Sequence, residues 1–288
     1  MRVLIIGGSG LVGSNIAHFA DEKGNDVHAT FCETPVDHAG IELDKTNAKR
    51  TDSVVTDVNP DLIIDTAAFH VVDDCETNRD RAWSVNAAGT RNVATAANQV
   101  DAHFVYLSTD YVFPGDPDEA PYTEYASIGP VNYYGATKYA AEQAAKIADE
   151  ATVLRPSVIY GLAKENFATW ALDELAEGNE LTIVDDQVST PTYAPDVARS
   201  CLDVYRNDLT GLYHASGPES MDRYEFTTRL AEIYGFDEEL VTPISTEEFG
   251  QEAPRPEDSS LDSSRLYQAI NHEFRAPRQA FTEMRDQS

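Results

Sequence analysis

Tyr134 and Lys138 stand four residues apart in an alanine-rich segment, residues 132–148, whose pattern predicts a helix. That spacing places both side chains on one face of the helix. A phenol with an ordinary pKa near ~10 exchanges protons poorly at neutral pH. A lysine cation close to the phenol would lower that pKa, so the pair is a candidate for proton transfer.

Thr109 follows a strand-like run, residues 103–108, and is expected at the carboxyl end of that strand. Open α/β sheets bind their ligands at this edge. The Thr109 hydroxyl would there hydrogen-bond a carbonyl or hydroxyl oxygen of a substrate beside Tyr134. Because a threonine at a strand end also commonly caps a turn, Thr109 becomes a catalytic candidate only together with the Tyr134–Lys138 pair.

Three glycines follow the first apolar run at intervals of three residues: Gly7, Gly10 and Gly13. Gly7 would permit a tight turn, Gly10 would let a pyrophosphate approach the backbone, and Gly13 would allow close packing of a helix on the strand. The N-terminus of the following helix offers unpaired N–H groups to the anion. A strand before the turn and a helix after it predict a dinucleotide site that includes Leu11 and Val12.

The end of the second predicted strand bears on which dinucleotide is bound. An acidic residue there would bind a ribose 2′-hydroxyl and select NAD, but the first acid, Glu33, comes late. Thr30 or His28 could hydrogen-bond a 2′-phosphate, although no arginine is near in the sequence. NADPH is therefore favoured and NADH stays open. Asp44 is expected either at the adenine edge or in an exposed turn.

These groups need a scaffold in which strands and helices alternate. Strand-like runs occupy residues 2–6, 26–31, 62–66, 103–108 and 152–155, and helical patterns occupy residues 11–23, 76–99 and 132–148. This alternation predicts an α/β fold with a Rossmann-type doubly wound parallel sheet. After about Tyr160, prolines interrupt the pattern. We expect a mainly NAD(P)-binding domain over residues 1–160 and a small, mainly substrate-binding region over residues 161–288, with some segments returning to the sheet.

The charge balance excludes several classes of partner. The 288 residues include 50 acidic and 21 basic side chains, a net charge of −29 spread along the whole chain. Such a surface repels nucleic acid and anionic lipid. No apolar run reaches the ~20 residues that span a bilayer, and no secretory leader is recognisable, so we expect a soluble cytoplasmic protein. High intracellular salt would screen the self-repulsion, which favours a halophilic host over a specific basic partner.

Cysteine and histidine indicate no further chemistry. Cys32, Cys75 and Cys201 show neither C-x-x-C nor metal-ligand spacing, which is typical of reduced thiols. The seven histidines form no H-x-x-x-H or H-E-x-x-H cluster. The sequence therefore predicts no metal site.

With these motifs, the sequence resembles the extended short-chain dehydrogenase/reductases, and among them the dTDP-4-dehydrorhamnose reductases. The resemblance extends from the glycine turn to about Leu266. Its most specific parts are the block LSTDYVF at residues 107–113 and the Tyr134–Lys138 pair. Shorter matching blocks are residues 67–70 with 72–73, 85–87, 160–161, 166–167, 186–187, 191–192, 255–256 and 260–262.

The resemblance implies that the protein binds NADPH and that its C-terminal part closes over a nucleotide-linked deoxysugar. Tyr134 would protonate the sugar oxygen as hydride reaches the neighbouring carbon. Lys138 would lower the pKa of Tyr134 and hold the cofactor ribose, and Thr109 would polarise the carbonyl. The resemblance also implies cofactor contacts at Ala67 and Ala68, sugar contacts at Asp110, Tyr111, Val112 and Phe113, and diphosphate contacts at Asn166, Pro191, Thr192 and Arg255.

The sequence departs from this family in two places. Leu11 stands where the family usually has a glutamine. Some bacterial members resemble metal-assisted dimers in which glutamates bind magnesium, but here Ser14 and Asn15 follow Gly13. The resemblance therefore carries over no metal site. Because the residues after Leu266 match poorly, both a homodimer and a monomer stay open.

Two alternative functions are compatible with the same fold. One is a nucleotide-sugar epimerase or dehydratase, although a dehydratase would want an Asp-Glu pair after the threonine, and here Tyr111 follows Asp110. The other is a non-catalytic NADP-binding regulatory subunit like that of methionine adenosyltransferase. Retention of Thr109, Tyr134 and Lys138 argues against that subunit. The sugar, its nucleotide and the configuration of the product at C4 stay open.

Overall fold

Seven parallel strands form the central sheet of the computed structural model, which describes residues 1–36 and 40–288. The strands of the described chain are β1 (Arg2–Ile6), β2 (Asp26–Phe31), β3 (Ile41–Glu42), β4 (Leu62–Asp65), β5 (His103–Leu107), β6 (Ala151–Arg155), β7 (Ile159–Tyr160), β8 (Leu181–Val184), β9 (Val188–Ser189), β10 (Thr192–Tyr193), β11 (Gly211–His214), β12 (Met221–Asp222) and β13 (Val241–Ile244). The order across the central sheet is β11-β6-β5-β4-β1-β2-β3. This order, in which the chain starts at the centre and winds outwards in both directions, confirms the predicted Rossmann-type fold.

Helices cover both faces of that sheet. They are α1 (Leu11–Glu22), α2 (Ala48–Val58), α3 (Val72–Thr77), α4 (Arg79–Trp83), α5 (Thr90–Ala97), α6 (Tyr133–Ala145), α7 (Phe167–Glu177), α8 (Ala194–Arg206), α9 (Arg223–Tyr234), α10 (Thr246–Phe249), α11 (Ser264–Ile270) and α12 (Pro277–Gln287). Helices α1, α8 and α11 pack on one face of the sheet, and α2, α5 and α6 pack on the other.

The middle strand β4 shows why the sheet is buried on both faces. Leu62 and Ile64 belong to the apolar cluster on one face, and Ile63 belongs to the cluster on the other. All three side chains are fully buried. Successive strand residues point to opposite faces, and a continuous apolar run is typical of a parallel sheet covered on both sides.

The single long helix predicted over residues 76–99 is wrong. Helix α3 ends at Asn78, whose backbone angles (φ −116°, ψ 48°) are not helical, and α4 starts immediately after it. A π-helical turn, Ser84–Gly89, then separates α4 from α5. In this turn the Asn86 side chain bonds the backbone N–H and C=O of Phe69, at 2.8 and 3.0 Å. Residue periodicity reveals neither the change of backbone angles at the single residue Asn78 nor a π-helical turn that a contact distant in sequence stabilises.

The C-terminal half contributes to the sheet and also builds a separate layer. Strand β11 extends the sheet by pairing with β6, and α8 packs against α1. A second cluster forms around Tyr160, Phe226 and Phe281 with α7, α9 and α12. The division at residue 160 stays an interpretation of the sequence. No helix of the described chain has the length and apolar character needed to cross a bilayer.

Candidate active site

A cavity of about 1030 Å³ opens at the carboxyl edge of the sheet. Its walls come from the glycine turn, from the loops that follow β2, β4 and β5, from α6, and from the first turns of α7 and α9. The structure brings most of the sequence-predicted site residues together here: Gly7, Gly10, Leu11, Val12, Thr30, Asp44, Ala67, Ala68, Thr109, Asp110, Tyr111, Tyr134, Lys138 and Asn166. A cavity of this size accommodates two elongated ligands end to end.

The glycine turn presents backbone to one end of the cavity. Gly7 has a φ of +86°, a conformation that L side chains rarely adopt. A Cβ on Gly13 would lie 2.2 Å from the Gly7 carbonyl oxygen, so only glycine lets α1 pack this closely. Gly10 begins α1 without a side-chain cap, which leaves backbone N–H groups for an anion. These features fit a dinucleotide pyrophosphate.

The Tyr134 hydroxyl stands at the middle of the cavity, next to Thr109. Its ring meets the ring of Tyr111 edge to face, with the centroids 6.1 Å apart. Enclosure by the cavity walls raises the pKa of Tyr134, and a hydrogen bond with Thr109 opposes part of that rise. Tyr134 is therefore a neutral phenol at physiological pH, which is the protonation state that a proton donor needs.

Lys138 lies behind Tyr134 and is buried. Its Nζ donates to the Leu107 carbonyl oxygen at 2.5 Å and lies 4.4 Å from the centroid of the Tyr106 ring. Burial, and next the charge of Lys45, lower the pKa of Lys138 to about 7. Because Lys138 is only partly charged at neutral pH, it does not offset the burial of Tyr134. The lowered phenol pKa predicted from the spacing is not found in this ligand-free protein.

Asp110 is buried directly behind Thr109 and accepts hydrogen bonds from three hydroxyl groups. Its Oδ1 accepts from Thr109 at 3.0 Å, and its Oδ2 accepts from Ser157 at 2.8 Å and Ser259 at 2.6 Å. Burial raises the pKa of Asp110, and the three hydroxyl donors oppose that rise. Thr109 donates its hydrogen to Asp110 and accepts from the Tyr111 N–H at 3.2 Å, so one lone pair of its hydroxyl oxygen is left for Tyr134. Thr109 donates to a substrate oxygen only after turning away from Asp110.

Gly135 allows the first turn of α6 to approach the β5 loop. A Cβ at Gly135 would lie 2.1 Å from the Tyr111 carbonyl oxygen. Two side chains cap this turn: Asn132 accepts from the Gly135 N–H at 2.8 Å, and Glu76 accepts from the Tyr133 N–H at 2.6 Å. This close approach places the hydroxyl of Tyr134, the residue before Gly135, next to Thr109.

Val112 and Phe113, predicted to surround the sugar, do not line the cavity. Both are fully buried in a small apolar cluster with Tyr122 and Leu261. The Phe113 ring stacks on Tyr122 with centroids 4.3 Å apart. After the 3₁₀ turn Asp110–Val112 the chain moves away from the cavity, so these residues support the loop that carries Asp110 and Tyr111.

Three predicted diphosphate contacts also lie outside the cavity wall. Pro191 and Thr192 are buried, and the Thr192 hydroxyl donates to the Ser157 carbonyl oxygen at 2.6 Å. Arg255 pairs with Asp73 through two bonds of 3.1 and 2.8 Å. Its charge is therefore already neutralised by a carboxylate, which the sequence pattern did not indicate.

Asn166 lines the cavity but its amide has structural partners. Its Oδ1 caps α7 by accepting from the Ala168 N–H at 3.0 Å, and its Nδ2 donates to the Gly161 carbonyl oxygen at 2.6 Å. Thr169 completes a capping box with Asn166. A role in substrate binding stays a prediction for this residue.

Lys45 is a buried cation on the cavity wall that sequence reasoning missed. Its Nζ donates to both oxygens of Asp65, at 3.0 and 2.8 Å, to the Ala67 carbonyl oxygen at 2.6 Å and to the Thr90 hydroxyl at 3.2 Å. This cluster holds the loop after β4, which carries Ala67 and Ala68. Asp65 ends an apolar strand and could have been noticed, but nothing in the sequence marks Lys45 as its partner.

Three further cations line the cavity and were also missed: Arg81 from α4, Lys164 from the loop before α7, and Arg223 from the start of α9. The Arg223 guanidinium lies 5.0 Å from the centroid of the Phe167 ring. No local motif marks these residues, because the two helices and the loop that carry them come together only in the folded chain. Among the described residues, no group of His, Cys, Asp or Glu side chains could hold a metal ion.

Comparison with known proteins bears on this geometry. The whole chain, residues 1–288, matches the model of the RmlD substrate binding domain family. The dTDP-4-dehydrorhamnose reductase of Mycolicibacterium smegmatis is 34% identical over 271 residues, 93% of this chain and 80% of that protein. Methionine adenosyltransferase 2 subunit beta of Xenopus tropicalis is 33% identical over 276 residues, 92% of this chain and 81% of that protein.

A solved structure extends the likeness to three dimensions. The crystal structure of dTDP-4-dehydrorhamnose reductase from Bacillus anthracis in complex with NADP matches with a TM-score of 0.90 and 32% sequence identity, covering 100% of this chain and 99% of that chain. The resemblance seen in the sequence motifs is confirmed, and this chain belongs to the RmlD substrate binding domain family.

Proposed function

We propose that this protein uses NADPH to reduce the 4-keto group of a nucleotide-linked deoxysugar, as its dTDP-4-dehydrorhamnose reductase relatives are named for doing. The observation that carries the proposal is the position of the Tyr134 hydroxyl. It opens into the same cavity as a glycine turn suited to a dinucleotide and as the two cations Lys164 and Arg223. A proton donor in a cavity that can bind both a dinucleotide and a second anionic ligand is suited to the reduction of a carbonyl group.

The cofactor compartment fits NADPH. The backbone of Gly7 and Gly10 would receive the pyrophosphate, and Lys138 would bind the nicotinamide ribose. When bound, NADPH supplies the hydride that reduces the carbonyl carbon. An anionic cofactor bound beside Lys138 would raise its pKa from about 7, so the Lys138 cation beside Tyr134, which is only partly formed at neutral pH, would become the main form.

Tyr134 would then donate its phenolic proton to the sugar oxygen. The Tyr134 phenol lies beside Thr109, and Thr109 donates its hydroxyl hydrogen to Asp110 at 3.0 Å. Asp110 therefore orients Thr109 from behind and does not touch the sugar. A substrate carbonyl oxygen that enters beside Tyr134 and Thr109 would be polarised by both hydroxyl groups.

Arg223 and Lys164 would hold the diphosphate of the nucleotide sugar. Both line the far end of the cavity, and the planar guanidinium of Arg223 offers paired donors to phosphate. Arg255, the sequence-based candidate for this role, is bonded to Asp73. The proposed diphosphate contact is therefore Arg223, at the start of α9, in place of Arg255.

The deciding experiment follows NADPH oxidation at the nicotinamide absorbance, with a dTDP-4-keto-6-deoxysugar supplied by a coupled dehydratase. NADH and a UDP-linked analogue are run in parallel. Substrate-dependent oxidation, faster with NADPH than with NADH, is the expected result. Tight NADPH binding without turnover on any keto-sugar would contradict the proposal. It would favour a non-catalytic subunit, since the Xenopus relative is named as a subunit of methionine adenosyltransferase.

We also propose that the protein works in a cytoplasm of high salt. Its 50 acidic against 21 basic residues repel one another in dilute buffer. Raising salt from 0.1 to 1 M shortens the screening length from ~10 to ~3 Å. The melting temperature should therefore rise strongly from low to molar NaCl, and an unchanged value would contradict this. Light scattering in the same buffers decides between the homodimer and the monomer, both of which the sequence leaves open.

A further inference from the structure

Arg81 lies at the end of the cavity where the adenosine ribose of a dinucleotide is expected. It belongs to α4, fifty positions after the end of β2 in the sequence, yet it shares the cavity wall with Cys32 and Glu33, which follow β2 directly. The loop after β2 receives the adenosine ribose in Rossmann-type sheets. Arg81 therefore faces the place where NADPH and NADH differ.

Arg81 is available to bind an anion. Ten of the fifteen arginines form ion pairs with carboxylates, and within the described chain Arg81 forms none. Its helix neighbour Arg79, in contrast, is bonded to Glu76 at 2.7 Å. The Arg81 guanidinium lies 5.9 Å from the centroid of the Phe69 ring, on the loop after β4. Arg223, the other arginine of the described cavity wall, likewise forms no ion pair with a described carboxylate, so the arginines that face the cavity keep their charge for a ligand.

The two residues that the sequence suggests for binding a 2′-phosphate, Thr30 and His28, supply at most one hydroxyl donor to the cavity. Thr30 is buried and its hydroxyl accepts from the Gly7 N–H at 3.2 Å. His28 lies 3.2 Å from Asp26 and does not line the cavity. The Thr30 hydroxyl therefore keeps its hydrogen for at most one bond to a phosphate, and His28 lies outside the cavity, so neither residue replaces a guanidinium.

Glu33 and Asp44 are the opposing charges on this wall. Asp44 accepts from the Thr46 N–H at 2.9 Å within its own turn, whereas Glu33 is exposed. Burial raises the pKa of the nearby Cys32 thiol, the charges of Asp44 and Glu33 raise it further, and the charge of Arg81 lowers it. The three charges therefore act on the same small region.

We propose that Arg81 binds the 2′-phosphate of NADPH and gives the protein its preference for NADPH over NADH, with Glu33 opposing it. The inference rests on the proposed function only in that the cavity binds a nicotinamide dinucleotide. A guanidinium pairs with a phosphate through two parallel hydrogen bonds. Without the 2′-phosphate, the same position leaves Arg81 without a partner and Glu33 near the ribose hydroxyls, which a carboxylate binds well.

The test measures binding and not turnover. Dissociation constants for NADP⁺ and NAD⁺ are measured by calorimetry, in one buffer that keeps the wild type folded, for wild type, R81Q, E33Q and R91Q. Arg91 is exposed on α5 and lies outside the cavity, so R91Q removes the same charge elsewhere. Thermal unfolding of each variant checks that the fold is kept.

We expect R81Q to weaken NADP⁺ binding about 10-fold or more while it changes NAD⁺ binding little. E33Q should shift the preference towards NADP⁺, and R91Q should match the wild type. An unchanged ratio of the two constants in R81Q, or an equal loss for both dinucleotides, would overturn the inference. A wild type that binds neither dinucleotide overturns both proposals, whereas normal NADP⁺ selectivity without keto-sugar turnover counts against the proposed reaction alone.

Discussion

The two ends of the cavity differ in whether backbone or side-chain atoms form their walls. The cofactor end consists largely of backbone, with Gly7 in a left-handed conformation and Gly13 packed against the Gly7 carbonyl. The sugar end consists of side chains from separate segments, among them Tyr111, Lys164 and Arg223. Backbone contacts suit the part of a ligand that does not vary, a pyrophosphate. Side chains can be exchanged without refolding the turn, so the choice of sugar is set at the side-chain end, and at the cofactor end only the proposed Arg81 contact depends on a side chain.

Tyr134→Phe tests the junction of the two ends and should have the largest effect. Removing the hydroxyl removes the proton donor, so turnover should fall ~100-fold or more. Dinucleotide and nucleotide-sugar affinities should change little, because neither compartment loses a contact. Steady-state kinetics together with calorimetry measure both quantities. Turnover at the wild-type rate would show that another group supplies the proton.

Gly10→Ala and Gly13→Ala test the backbone end as a matched pair. A Cβ on Gly10 has no contact closer than 3.5 Å, whereas one on Gly13 would lie 2.2 Å from the Gly7 carbonyl oxygen. G10A should keep the wild-type melting temperature and weaken dinucleotide binding about 10-fold or more, because the methyl group occupies the space of the pyrophosphate. G13A should lower the free energy of unfolding by ~1–3 kcal/mol, and the melting temperature should fall with it. Equal behaviour of both variants would contradict this assignment of roles.

Arg223→Gln tests the side-chain end. Loss of one charged contact should raise the KM for the nucleotide sugar about 10-fold, with kcat and the NADP⁺ dissociation constant close to wild type. R91Q serves as the control for loss of a positive charge. A raised dissociation constant for NADP⁺ with an unchanged KM would place Arg223 in the wrong compartment.

The pH dependence of dinucleotide binding should be the smallest effect. Burial holds the pKa of Lys138 at about 7, and a bound anion raises it, so binding takes up a proton. The affinity for the dinucleotide should therefore fall as pH rises from 7 to 9. A phosphate monoester has a pKa of ~6, so its own titration does not contribute over this range. Calorimetry in buffers of different ionisation enthalpy measures the proton uptake. Lys138→Met should abolish it, and a pH-independent affinity in the wild type would contradict the assignment.

The parts of the fold that follow from local pattern were predictable. The glycine spacing, the strand β2 over Asp26–Phe31 and the Tyr134–Lys138 helix all agree with the sequence reading to within a few residues at their ends. The broken helix at Asn78 and the buried Lys45–Asp65 pair were not predictable. The backbone angles of a single residue, Asn78, make the break, and the Lys45–Asp65 pair joins residues that lie twenty positions apart. No periodicity encodes either feature.

The sequence by itself determined the parallel α/β sheet, the dinucleotide turn and the placement of Tyr134 and Lys138 on one helix. These features follow from backbone geometry and from spacing within one element, which neighbouring residues control. Only the tertiary structure decided that Arg255 pairs with Asp73, that Val112 and Phe113 face the core, and that Arg81 and Arg223 face the cavity. The direction and charge state of a side chain depend on what packs against it, and those neighbours come from distant parts of the chain.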